Sequence, residues 1–232
     1  LFAMWFVSGV VMMYVGYPKL TAHERLAHLP PLQAEAGLLP PQQALHLAGW
    51  QQPLRELRLS ASRAGQPVYQ LTPAKGLHQG PGTGTVMVDA RTGRILPAAD
   101  EATALASAAA WAGSSSQLTH LGTLEEDAAT HSRALDAHRP LHKVALADGT
   151  WLYVSGPTGD VVRDATRSER AWNYAGAWLH WLYPLRGGVF DKYWNDTVVW
   201  LSILGIAGVI TGSVVGVMRW RFGARYRNGR RT

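Results

Sequence analysis

The chain has 232 residues, 47% of them hydrophobic, with a net charge of +6, a length that admits one or two small domains. It contains no cysteine, which excludes disulfides, thiol chemistry, Cys-linked haem and Cys-ligated zinc. Every acidic residue lies between two uncharged stretches, Leu1 to Tyr17 and Thr197 to Met218, and the six arginines after Met218 equal the whole net charge; the part in between is neutral, with no bias toward nucleic acid.

Residues 1–17 read as a transmembrane helix truncated at its start, since 17 residues reach only about 26 Å as a helix. A signal peptide would need a basic start and a small-residue cleavage site, and Val15-Gly16-Tyr17-Pro18-Lys19 is a poor one. A connector follows at 18–37, marked by Pro30 and Pro31. Residues 38–98 and 99–168 carry one α+β pattern twice: a helix, then a three-stranded antiparallel segment. Gln66 to Leu71 corresponds to Arg139 to Val144, and Thr85 to Ile95 corresponds to the stretch from Thr150 or Trp151 to Val161. The two offsets, 73 and 66, give the first copy a hairpin loop seven residues longer. That loop, Thr72 to Gly84, is rich in Gly and Pro, whereas the second copy turns tightly at Asp148-Gly149. The helices are expected at Pro41 to Gly49 and Glu101 to Gly113, each ended by glycine. A further short helix is expected near Leu124 to Ala134.

Residues 169–194 open an aromatic segment. Trp172 to Trp200 holds five of the ten tryptophans, with Tyr174, Tyr183 and Tyr193, and rings of this kind settle at the headgroup level; the expectation is an interfacial helix. Residues 195–218 form the second transmembrane helix; the apolar run Thr197 to Met218 alone has 22 residues and spans about 33 Å. Gly208, Gly212 and Gly216 give it a small-residue face for close packing of another helix, from this chain or another. Residues 219–232 form a basic tail. The positive-inside rule places that tail in the cytoplasm, which with two spans places the amino terminus there too and the central domain outside.

Several motifs run in a fixed order. They are Phe6-Val7-Ser8-Gly9-Val10-Val11-Met12-Met13-Tyr14-Val15 leading to Tyr17-Pro18, then Glu24-Arg25-Leu26 and Leu29-Pro30-Pro31-Leu32. Val88-Asp89-Ala90-Arg91-Thr92-Gly93, Trp151-Leu152-Tyr153-Val154-Ser155 with Thr158-Gly159, and His180-Trp181-Leu182-Tyr183 with Pro184-Leu185-Arg186 follow. Across essentially its whole length the chain resembles the PepSY and PepSY-associated transmembrane family of bacterial envelope proteins, as an amino-terminal portion of such a protein. The resemblance implies an inner-membrane protein whose PepSY modules face the periplasm. It also implies one of two roles. One is part of a haem-dependent system carrying electrons across the bilayer to ferric iron or a ferric siderophore. The other is a non-enzymatic periplasmic module that binds a partner protein or regulates a peptidase.

His180 is the residue on which the first role rests. It is the one His of nine in the membrane-associated part, and imidazole is an axial ligand for haem iron, here haem b. An interfacial polar anchor accounts for the same residue without a cofactor. A second axial ligand would come from another helix, and Arg186 stands where many family members carry a His. His23 and His28 are five residues apart, not the four of a zinc-protease motif, and read as surface residues. His131, His138 and His142 read as structural, with His142 at the strand position that Tyr69 holds in the first copy. Gly80 to Gly84 lacks the Lys-Ser/Thr of a phosphate loop. Asn195-Asp196-Thr197 fits a glycosylation acceptor but abuts the membrane and is disregarded in a bacterial protein. No catalytic residue is identified, and whether the chain is an enzyme stays open. The expected partners are the lipid bilayer, further transmembrane helices, and a periplasmic protein or ferric siderophore.

Overall fold

The computed structural model describes residues 2–29, 31–32, 37–74, 84–113, 117–186 and 188–220. It is an α+β structure with two small antiparallel sheets and one long apolar helix near the carboxyl end. The chain forms two compact units: one is Val15–Tyr174, and the other combines the stretches before Val15 and after Tyr174.

The first unit begins with α2 (Ala22–His28), after α1 (Phe2–Tyr14) of the other unit. Thr21 caps α2 and Glu24 returns the bond to the Thr21 N–H, so this seven-residue helix closes its own amino end. α3 (Pro41–Leu47) then precedes a sheet of β1 (Leu54–Ser62), β2 (Gln66–Pro73) and β3 (Val86–Asp89) in sequential order. α4 (Glu101–Ala112) is capped by Asp100, whose carboxylate accepts from the Thr103 N–H at 2.8 Å, and stops at Gly113 with φ +65°. The second sheet runs β4 (Thr119–Leu124), β5 (Leu141–Ala145), β6 (Trp151–Ser155), β7 (Val161–Ala165). α5 (Arg167–Asn173) ends the unit, its first turn closed by the Thr166–Glu169 capping box.

The internal repeat extends to individual hydrogen bonds. Tyr69 pairs with Val88 as His142 pairs with Val154. The Tyr69 hydroxyl donates to Leu39 O at 2.7 Å, and His142 Nε2 lies 2.9 Å from Ala99 O, each carbonyl standing one residue before a helix cap. Leu39 N–H donates to Ala90 O as Ala99 N–H donates to Gly156 O, and Gly93 N–H donates to Asp89 O as Gly159 N–H donates to Ser155 O. Both glycines have positive φ, +70° and +75°, which only glycine adopts without strain. The copies differ where β7 forms a full strand: its counterpart in the first copy is a single bridge, Val88↔Ile95.

Burial follows strand alternation. Ala44, Tyr69, Leu71 and Val88 fill the first core. Val144, Leu152 and Val154 pack on Ala104 and Ala108 of α4, while Leu141, Tyr153 and Ala165 face the opposite way onto Ala129 and Leu135. The second sheet is therefore covered on both faces. On its second face the buried Tyr153 hydroxyl donates to Asp127 at 2.8 Å, as does Lys143 at 2.8 Å. Burial pushes the Asp127 carboxyl up, but those two bonds, the Lys143 charge and the Ala129 N–H together outweigh it, so its pKa lies below the ordinary carboxylate value.

The copies interlock through the β1–β2 turn. Arg63, at φ +45°, donates to Thr158 O at 3.0 Å and Pro97 O at 2.6 Å, and Ser62 and Gln70 both donate to the Asp160 carboxylate. At the unit's ends, the Tyr17 hydroxyl and Asn173 Nδ2 donate to one acceptor, Ala128 O, at 2.8 and 2.6 Å. The Tyr17 oxygen in turn accepts from the His131 N–H at 2.9 Å.

Three expectations change, the first being that the second copy carries four strands, β4 to β7, where three were expected. The helix expected near Leu124 to Ala134 is replaced by β4 before it and a 3-10 helix, Arg133–His138, after it. The aromatic segment is not one interfacial helix: a π-helical turn at Tyr174–Trp178 and 3-10 turns at Tyr183–Leu185 and Gly188–Tyr193 break it. Leu182 at φ +53° ends the helical run. Among the described residues one helix is long and apolar enough to cross a membrane, α6 (Trp194–Arg219) with 26 residues, about 39 Å in length. α1 is apolar but has 13 residues, about 20 Å. The loop motif Gly80 to Gly84 lies outside the described residues except for Gly84, as does the basic tail beyond Trp220.

Candidate functional site

The second unit brings α1 against the segment that carries His180. Most of α1 is exposed, but Ser8, its one hydroxyl-bearing residue before Tyr14, is 2% exposed. Ser8 Oγ lies 3.2 Å from Trp5 O and 3.1 Å from His180 Nδ1. A serine hydroxyl has one proton to give. Both contacts are hydrogen bonds only if that proton goes to Trp5 O and His180 Nδ1–H donates to Ser8 Oγ. That arrangement fixes the tautomer with the lone pair on Nε2, the nitrogen left free to bind a metal.

Two glycines permit the close approach. A Cβ at Gly9 would lie 3.4 Å from His180 Cε1, so the imidazole rests against the α1 backbone. A Cβ at Gly176 would lie 3.2 Å from Val11 and 3.3 Å from Met12. Small residues at such crossings let helices meet closely. The His180 ring makes an edge contact with Trp181 at 5.9 Å; in a separate group, Tyr183 lies between Trp178 and Trp194 at 5.3 and 5.8 Å. Arg186 places its guanidinium over Tyr183 and Trp194, at 5.6 and 5.3 Å. It serves as a cation–π anchor, in the place where the family resemblance expects a second His.

The donor set is one in which His180 could hold a haem iron. The imidazole is oriented through Nδ1, and its rim is aromatic. The buried Trp5 indole N–H, one turn before Ser8, has no hydrogen-bond partner among the described residues. His180 is the one imidazole in this unit, so a second axial His is not supplied by it.

The other sequence candidates fall elsewhere. Gly208, Gly212 and Gly216 have nothing within 4 Å of a built Cβ; the α6 glycine that meets α1 is Gly205, 3.0 Å from the Phe2 ring. His23 is exposed and His28 Nδ1 lies 2.8 Å from Glu24 O. His131 pairs with Glu126, His138 with Ser155 and His142 with His120 and Ala99 O. Among the described residues no group of three His, Asp or Glu side chains could hold a metal ion. Ser8, Gly9 and Gly176 were not singled out individually by sequence, although Ser8 is the lone polar position in an otherwise apolar run and Gly9 follows it. No family model, curated protein or solved structure matches the chain.

Proposed function

We propose that the chain is a PepSY-type envelope protein, anchored by two helices with its central domain on the periplasmic side. In this reading His180 ligates haem in a system that passes electrons across the bacterial inner membrane toward ferric iron or a ferric siderophore. The observation that carries the reading is the Ser8–His180 contact, which buries a hydroxyl in an apolar helix and leaves Nε2 as the free nitrogen. Haem, when bound, supplies one-electron chemistry at a potential set by its ligands. The chain's residues position it: Ser8 orients the imidazole, and Gly9 and Gly176 let α1 approach the segment that carries it. His180 would hold the haem iron, and any further protein ligand would have to come from outside this chain's described residues. The arginine cluster after Met218 supports the orientation.

A visible spectrum of the detergent-purified chain, produced with haem available, tests this. The expected result is a Soret band that shifts on reduction and is lost in His180→Ala. A colourless protein, or an unchanged spectrum in His180→Ala, rejects it. A second reading, a non-enzymatic binding module, draws support from β1, which among the described residues pairs with β2 and exposes Arg55 to Arg58; such an edge can accept an extended peptide by strand addition.

A further inference from the structure

Position 142 does its structural work with one nitrogen. In the first copy of the repeat the Tyr69 hydroxyl donates to the carbonyl before a helix cap, and in the second His142 Nε2 takes that place, 2.9 Å from Ala99 O. A carbonyl only accepts, so Nε2 carries the proton of the neutral ring and Nδ1 keeps its lone pair. His142 is 7% exposed, and a buried lone pair calls for a partner inside the fold.

β4 brings that partner. A register shift between His120 and Gly122 sets His120 opposite Val144 and Thr123 opposite His142, so two residues three apart in sequence meet the same ring. His120 Nε2 lies 3.2 Å from His142 Nδ1, and Thr123 Oγ1 lies 3.3 Å from it. The other nitrogen of His120, Nδ1, is 3.4 Å from Oε2 of Glu101 in the first turn of α4. A carboxylate only accepts, which favours the single proton of neutral His120 on Nδ1 and leaves Nε2 bare. Two neutral rings in these tautomers therefore turn lone pairs toward each other across 3.2 Å. The Thr123 hydroxyl has one proton and satisfies one of them; relief of both takes a cation. Asp100, the cap of α4, is near enough for its charge to act on His142, so two carboxylates favour positive charge at this place.

We infer that His120 Nε2 and His142 Nδ1 bind one divalent metal ion of the zinc class. Each ring already has, at its other nitrogen, the outer partner that metal-bound imidazoles use: a carboxylate for His120 and a backbone carbonyl for His142. The spacing selects among ions. Two Zn–N bonds of about 2.0–2.1 Å at the tetrahedral angle hold their nitrogens about 3.3–3.4 Å apart, whereas neighbouring ligands in a square plane stand about 2.8 Å apart. The observed 3.2 Å is nearer the first. Among the described residues no third His, Asp or Glu side chain completes the shell. Thr123 is exposed, so water reaches the remaining positions and the ion is exchangeable. A bound ion ties the start of α4, through Ala99 and Glu101, to β4 and β5. His180 has no part in this site, and the inference does not depend on haem.

The test uses the full chain, purified in detergent without a polyhistidine tag, stripped with a chelator and titrated with zinc chloride by calorimetry. The tightest step should take up one ion per chain. His142→Tyr installs the residue of the first copy, which can donate to Ala99 O as Tyr69 does to Leu39 O, and His120→Gln keeps a polar side chain on β4. Each should weaken zinc binding at least about tenfold, and Glu101→Gln by about tenfold. His23→Gln, at an exposed position, should leave the affinity unchanged. Far-ultraviolet circular dichroism establishes that each variant is folded, and two ligand variants are used so that either alone decides. Failure of the parent to take up zinc, which would leave a proton as the cation between the rings, overturns the inference. So does undiminished affinity in a folded His120→Gln, His142→Tyr or Glu101→Gln chain.

Discussion

Gly93 and Gly49 provide a matched pair in the first copy of the repeat. Both have positive φ, +70° and +64°, but a Cβ at Gly93 would lie 2.6 Å from Leu47 Cβ and 2.9 Å from Leu47 Cδ1, whereas a Cβ at Gly49 would meet nothing within 4 Å. Alanine at either site costs about 1–2 kcal/mol for the left-handed backbone. It regains roughly 0.4–1 kcal/mol from the unfolded chain, so Gly49→Ala should destabilise by about 1 kcal/mol. Gly93→Ala carries the same backbone cost and adds an overlap with a Cβ that no rotamer change can move. Overpacking of this kind costs about 1–3 kcal/mol, giving a total near 2–4 kcal/mol. Pulse proteolysis of the detergent-solubilised chain across a urea series measures both. Equal midpoints for the two variants would refute the claim that Leu47 blocks the space beside Gly93.

Burial holds the His138 imidazole below its ordinary pKa, with Arg25 acting in the same direction and Asp160 against it. The unfolded chain therefore binds more protons, so the stability linked to this group is complete above about pH 6.5. It is lost as pH falls through the depressed folded value. His138→Gln should flatten the urea midpoint against pH in that window, and an unaltered slope would contradict the assignment. Asp164 is the opposite case: burial raises its carboxyl, and Glu169 and Glu24 add to the effect. Stability linked to Asp164 falls as pH rises through its raised folded value, so Asp164→Asn should raise the midpoint at pH 7. The gain should vanish below about pH 4; a lower midpoint at pH 7 would be the opposing result. For orientation, single cysteines at Ala27 and Asn228 should differ in intact cells: an impermeant maleimide should label the first and spare the second. Labelling of Asn228→Cys would reverse the proposed topology.

The legible parts of the fold are those whose signal is local. Asp100 and Gly113 bracket α4, and alternating apolar residues with Thr-Gly turns mark β2, β3, β5 and β6; these are set by neighbours in the chain. β4 was illegible because its inward positions are His120, Gly122 and Leu124 while Leu121 faces out, so no apolar alternation marks it. The aromatic segment announced its composition but not its breaks. These depend on a π turn and on Leu182 at positive φ, which no propensity encodes. His180 could be picked out because it is the one imidazole in the aromatic segment before the second apolar stretch. Its partner could not: Ser8 is 172 residues away, and the contact exists only once α1 and the π turn are packed together.

The shared acceptor at Ala128 bears on how the central domain is inserted into the chain. Tyr17 and Asn173 are 156 positions apart in sequence, yet both donate to one carbonyl oxygen. The polypeptide therefore enters and leaves this domain through a closed neck, as in domains that evolution splices into a host without disturbing it. Because that carbonyl belongs to the domain itself, the neck stays closed only while the segment around Ala128 keeps its place.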